Sequence, residues 1–120
     1  MKNNAKKLVR EQLAIKGNDN EQIIINYGTI KRAALTLRAV NHTLRKKLLE
    51  VIQTKGEVNV TDIYSKLKIE QSVASQHLAI MRRAGLLTTR REGKQIYYSI
   101  NRKRLAGIVT LSQKLAQHTV

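Results

Sequence analysis

Apolar residues recur along the chain with two different periods, and the places where the period changes divide it into elements. Ala74, Leu78 and Met81 are spaced to stack on one side of a helix, with Val73 and Ile80 widening the stripe. The stretch Glu70 to Gly85, EQSVASQHLAIMRRAG, therefore reads as a helix with one face in a core. Gln71, Ser72, Ser75, Gln76 and Arg82 fall on the rest of its surface, and none of them is both large and apolar. Upstream, Ile30, Ala33, Ala34, Leu37 and Val40 predict a helix over 27–40 whose buried stripe contains small alanines. After a break at Asn41-His42, the residues Leu44, Leu48, Leu49 and Ile52 predict a second helix over 43–54, which Gly56 ends as a cap. Asn59, three residues before Asp62, opens a third that carries Ile63, Tyr64 and Leu67 and closes at Lys68-Ile69. Only two or three residues separate it from the helix at Glu70, so the pair forms a helix-turn-helix.

Past Gly85 the period drops to two. Leu86 to Arg91 reads as a strand, Glu92-Gly93 as a tight turn, and Lys94 to Ile100 as a strand alternating Ile96, Tyr98 and Ile100 with Gln95, Tyr97 and Ser99. The tip of this ribbon, Arg90, Arg91 and Lys94, is basic around a glycine. Asn101 can cap a last helix running to about Gln117 with Leu105, Ile108, Val109, Ser112 and Leu115 in one stripe. At the other end, Leu8, Leu13 and Ile15 among the charges of residues 1–16 predict a short amphipathic helix, or a basic arm, stopped by the turn residues Gly17 to Asn20. The expected architecture is mainly α, an α+β winged helix with helices at both ends and a two-stranded β-wing. Its expected parts are a basic arm over 1–26, the winged domain over 27–117 and a tail over 118–120.

Composition narrows the partners. Lys and Arg number 23 against 8 Asp and Glu, a formal net charge of +15, while 42% of the 120 residues are hydrophobic. Enough apolar surface exists to offset chain entropy, so this is a folded body with a basic coat, and a polyanion is the expected partner. Without cysteine there are no disulfides, thiolate metal sites or thiol switches. No apolar run approaches the roughly 20 residues of a membrane span and no secretory pattern opens the chain, so a soluble, cytoplasmic protein is expected. The amides, hydroxyls and guanidinium of the helix at Glu70 are groups that pair with base edges and phosphates in a major groove. They are also ordinary solvent-facing residues, and the wing beside them favours the first reading.

The run VNVTDIYSKLKIEQSVASQHLAIMRRAGLLTTRREGKQIYYSI, Val58 to Ile100, resembles the DNA-binding core of the ArsR/SmtB family of bacterial repressors. The resemblance rests on Ser75-Gln76-His77-Leu78, on Arg83-Ala84-Gly85-Leu86, and on Arg91-Glu92-Gly93-Lys94 followed by Tyr97-Tyr98-Ser99. Leu37 to Ile52 is similar to the family's Asp-Pro-Thr-Arg-like turn, with Thr43 at the proline position. What the resemblance implies is a homodimer, joined through its first and last helices, on an inverted-repeat operator in double-stranded DNA. It puts Gln71, Ser72, Ser75 and Gln76 at the major groove with Arg82 nearby, and Arg91 and Lys94 on the backbone or minor groove. His77 is implied to be structural or phosphate-contacting rather than a metal ligand.

Where the family's metal sensors carry a cysteine pair, this chain has Glu57, Val58, Asn59, Val60, Thr61 and Asp62, and its last helix has no Asp or Glu and only the terminal His118. No metal or other cofactor is expected, and the effector is left open. Lys68 stands where relatives often have glycine, which predicts a strained left-handed turn. The reading is thus a dimeric regulator associated with the nucleoid, most simply a repressor. A structural protein that binds nucleic acid without reading its sequence is the rival. Catalysis finds little support in eight scattered carboxylates, and membrane attachment little in a chain with four tyrosines and no Trp or Phe.

Overall fold

A computed structural model describes residues 11–119. The elements are β1 (Gln12–Lys16), β2 (Gln22–Asn26), α1 (Tyr27–Val40), α2 (Thr43–Lys55), β3 (Val58–Asn59), α3 (Val60–Leu67), α4 (Gln71–Arg83), β4 (Leu87–Glu92), β5 (Gln95–Ile100) and α5 (Arg102–Ala116). The chain divides into two compact units between Thr36 and Leu37.

The first unit corrects the expectation for the N-terminal segment. Residues 1–10 of the helix expected over 1–16 lie outside the described residues, and Gln12–Lys16 is a strand, paired antiparallel with β2. Leu13 faces Ile25 and Ile15 faces Ile23 across the ladder, which gathers four aliphatic side chains on one face of the hairpin. Its turn is closed by the Gly17 amide donating to the Glu21 carbonyl at 2.8 Å, with Asn20 at φ 61°. The Asn26 side chain then accepts from the Thr29 amide at 3.1 Å and starts α1. In this half of α1, Ile30 and Leu35 are exposed together with Ala33 and Ala34. The stripe expected to be buried is covered only from Leu37 onward.

The second unit is the winged helix-turn-helix. Leu48 and Ile52 of α2, Ile63 of α3, Ala74, Leu78 and Met81 of α4, and Leu86 ahead of the wing are all fully buried in one core. Ile108 of α5 and Leu87 of β4 close it. A two-residue strand that the pattern did not anticipate, β3, pairs with β5, and the sheet runs β3-β5-β4 with Val58 opposite Tyr98 and Leu87 opposite Ile100. The caps read from sequence are in place. Gly56 at φ 82° donates to the Ile52 carbonyl at 2.7 Å, Asn59 accepts from the Asp62 amide at 2.9 Å, and Asn101 accepts from the Arg104 amide at 3.2 Å. Among the described residues no helix is long and apolar enough to cross a membrane.

Lys68, between α3 and α4, adopts φ 54° and ψ 46°, the left-handed conformation, with its amide donating to the Tyr64 carbonyl. A side chain in that region costs about 1 kcal/mol, and glycine removes the Cβ clash at some cost in chain entropy. Lys68→Gly should therefore raise the unfolding free energy by about 0.5–1 kcal/mol in a urea titration, and Lys68→Val should lower it.

Candidate nucleic-acid interface

Helix α4 is rotated by its core residues. Ala74, Leu78 and Met81 are 0% exposed, and at 3.6 residues per turn those three positions determine what faces away. Gln71, Ser72, Ser75, Gln76 and Arg82 are all exposed, on one continuous face. Two further residues complete that face. Ala79 lies in its middle and adds no bulk, and Arg83, exposed beside Arg82, continues its basic end. The sequence pattern placed Arg83 in the exit of the helix without an interface role, although its position one residue after Arg82 and four before the wing was a signal. Among the described residues, none of the five polar side chains makes a hydrogen bond within the chain. Their donors and acceptors are available to a ligand.

His77 is placed differently. It is half-buried on the side of α4 toward α2, where its Nδ1 lies 3.3 Å from Arg45 Nη1, and its ring centroid is 4.9 Å from that of His42. Burial, then the charges of His42 and Arg45, hold its pKa below the usual 6.5.

On the wing, β4 and β5 pair from Leu87–Ile100 to Glu92–Gln95 around Gly93, at φ 61°. The alternation of the ladder puts Arg91 with Ile96 on one face and Arg90 with Tyr97 on the other. Arg91 and Lys94 are exposed at the tip. Arg90 is not available in the same way. Its Nη2 and Nε donate to the Glu57 carboxylate at 2.7 and 3.1 Å, its Nη1 donates to Glu92 at 2.8 Å, and its guanidinium carbon sits 4.8 Å from the centre of the Tyr97 ring. The hydrogen bond from Arg90 holds the Glu57 carboxyl below the ordinary carboxylate range, and the two carboxylates push Arg90 further up. This bidentate clamp ties the ribbon to the residue that precedes β3.

A tight helix-turn-helix, an outward polar face and a basic ribbon form one pattern, and known proteins match it. The family described as "bacterial regulatory protein, arsR family" matches residues 43–89, the segment from the start of α2 into β4. The transcriptional repressor PagR of Bacillus anthracis is 38% identical over 87 residues, which are 72% of this chain and 87% of PagR. The chain belongs to the ArsR family. It is a DNA-binding transcriptional regulator. The transcriptional activator HlyU of Vibrio cholerae is 31% identical over 70% of the chain and 77% of HlyU. Among solved structures, that of PagR superposes with a TM-score of 0.57 at 37% identity, covering 72% of this chain and 98% of the other. HlyU superposes at 0.56 and 32%, covering 72% and 94%. About a quarter of this ArsR-family chain thus lies outside what it shares with these relatives.

The Glu57–Arg90 clamp makes a testable statement about the wing. Because the Glu57 pKa is lowered, its carboxylate stays ionised as the pH falls past 4.5, the point at which an unpartnered glutamate is half protonated. The Arg90 Nε–H resonance should therefore stay sharp and shifted in wild-type 15N spectra at pH 4.5 and collapse at lower pH. In Glu57→Gln it should be exchange-broadened already at pH 7.

Proposed function

We propose that the chain acts as a homodimer on an inverted-repeat site in double-stranded DNA and, in the cytoplasm, represses transcription by occluding a promoter. The observation that carries this reading is the outward face of α4. Its amides and hydroxyls are exposed, have no hydrogen-bond partner among the described residues and are held by a fully buried opposite face. Gln71 and Gln76 each present a donor and an acceptor, the pairing that adenine offers in the major groove. Ser72 and Ser75 serve base edges or phosphates, and Arg82, Arg91 and Lys94 serve phosphates. His77, engaged by Arg45, holds the helix in place rather than touching DNA.

Dimerisation is supported by what single helices leave uncovered. Val109, Leu111 and Leu115 of α5 are 48%, 52% and 60% exposed, and Ile30 and Leu35 of α1 are 54% and 52% exposed. Two copies of α4 related by a two-fold axis meet successive major grooves about 34 Å apart, so the site is an inverted repeat. PagR is named a repressor, which favours repression, although HlyU is named an activator. Without a cysteine in the chain, release from DNA does not run through thiolate-bound metal.

Selection from a random duplex pool should return a palindrome. On that duplex, Gln76→Ala and Ser75→Ala should each weaken binding by about 1–3 kcal/mol while leaving affinity for random DNA unchanged. Arg91→Ala and Lys94→Ala should weaken both alike and each flatten the slope of log affinity against log salt by about 1. Absence of a palindrome, with equal losses for all four variants on every duplex, would replace this reading with sequence-independent binding driven by charge.

A further inference from the structure

The outward face of α4 leaves one constellation unused, the contact at which α4 meets the corner between α1 and α2. Arg45 is 7% exposed. Its Nε donates to the Ala39 carbonyl at 2.8 Å and its Nη2 to the Arg38 carbonyl at 3.1 Å, both at the end of α1. A guanidinium has donors and no acceptor. The 3.3 Å contact from Arg45 Nη1 to His77 Nδ1 therefore makes Nδ1 the acceptor, with the ring proton on Nε2. His42, whose ring lies against that of His77, uses its own Nδ1 to accept from the Leu44 amide at 3.2 Å as the N-cap of α2. Each imidazole thus holds one bond through an accepting Nδ1.

The chemistry of protonation follows. A proton added to the His77 ring lands on Nδ1, the only basic nitrogen left, and removes the acceptor. It also sets an imidazolium against a guanidinium that its two carbonyl bonds keep in place. The charged or titratable groups that act on His77 are His42, from the corner, and Arg45, from α2. Glu50 of α2, Asp62 of α3 and Glu70 at the head of α4 form no ion pair there, since Arg90 makes the ion pairs found among the described residues. Nothing at the contact rewards the added charge.

We propose that His77, packed on His42 and bonded to Arg45, forms a proton-operated latch that docks α4 on the α1–α2 corner when its imidazole is neutral and lets it go when it is protonated. The latch is a property of the folded chain, and only its effect on DNA rests on the reading of α4 given above. The sign is fixed by linkage. The His77 pKa is lowered on folding, so the unfolded chain binds more protons, and stability present above pH 6.5 is lost as the pH falls through the folded value.

The test uses the full chain and two substitutions that keep the bonds and remove the imidazoles. His77→Asn leaves an acceptor oxygen near the place of Nδ1, and His42→Asn leaves a favoured N-cap. In wild type, the His77 ring resonances should titrate below 6.5, and urea stability should fall from pH 7.5 to pH 5.5. Over the same interval, affinity for the selected duplex at fixed salt should fall about tenfold while affinity for random DNA does not. In the double variant both the urea stability and the specific affinity should change less than about twofold on the binding scale. A wild type that titrates with unchanged stability and specific affinity, or a double variant that follows the wild type, overturns the latch. Should the double variant fail to fold, the wild-type titration decides, because α4 amides that keep their protection while His77 protonates also overturn it. If no duplex is selected at any pH, the DNA reading fails, and the ring titration with stability still judges the latch.

Discussion

Burial of Ala74, Leu78 and Met81 is the constraint from which the rest of the second unit follows. A helix with three positions fixed in a close-packed core cannot turn about its axis without opening a void, and voids of a side chain's size cost about 2–5 kcal/mol. That single fact decides which residues face outward and gives them a rigid mounting. It also makes demands on the neighbours. Leu48, Ile52 and Ile63 must close the same core, so the turn between α3 and α4 has to be short, and Lys68 takes up a conformation that its side chain disfavours.

Electrostatics act on top of this mounting without determining it. A net charge of +15 draws a polyanion from a distance but does not align it. Two of the arginines are withdrawn from that pool. Arg90 is held by Glu57 and Glu92, and Arg45 is buried against two carbonyls and His77. The exposed cations that remain include Arg82 and Arg83 on α4 and Arg91 and Lys94 on the wing.

Most of the second unit was legible because its signals are local. The three-and-four spacing of α4, the glycine after α2, the asparagines ahead of α3 and α5, and the Glu-Gly turn each act within a few residues and needed no partner elsewhere in the chain. What escaped was set at long range. Leu8 and Ile15, seven apart, fit a helix stripe, whereas Leu13 and Ile15, two apart, have the strand period that their pairing with Ile25 and Ile23, beyond the turn, fixes. Strand β3 is two residues long and exists because β5 supplies its partner. Arg45 resembles any other cation of a basic helix until α1 ends above it. For His77, read from the family pattern as structural or phosphate-contacting, the partner Arg45 was not legible, because the same rotation that turns Ser75 and Gln76 out is what turns His77 toward α2.

Among the described residues, the outward side chains of α4 contribute no internal bond to the scaffold. Drift at those positions is then decoupled from folding, so a duplicated gene can acquire a new target preference without passing through an unfolded intermediate. PagR and HlyU, about a third identical to this chain, keep the same fold over nearly their whole lengths.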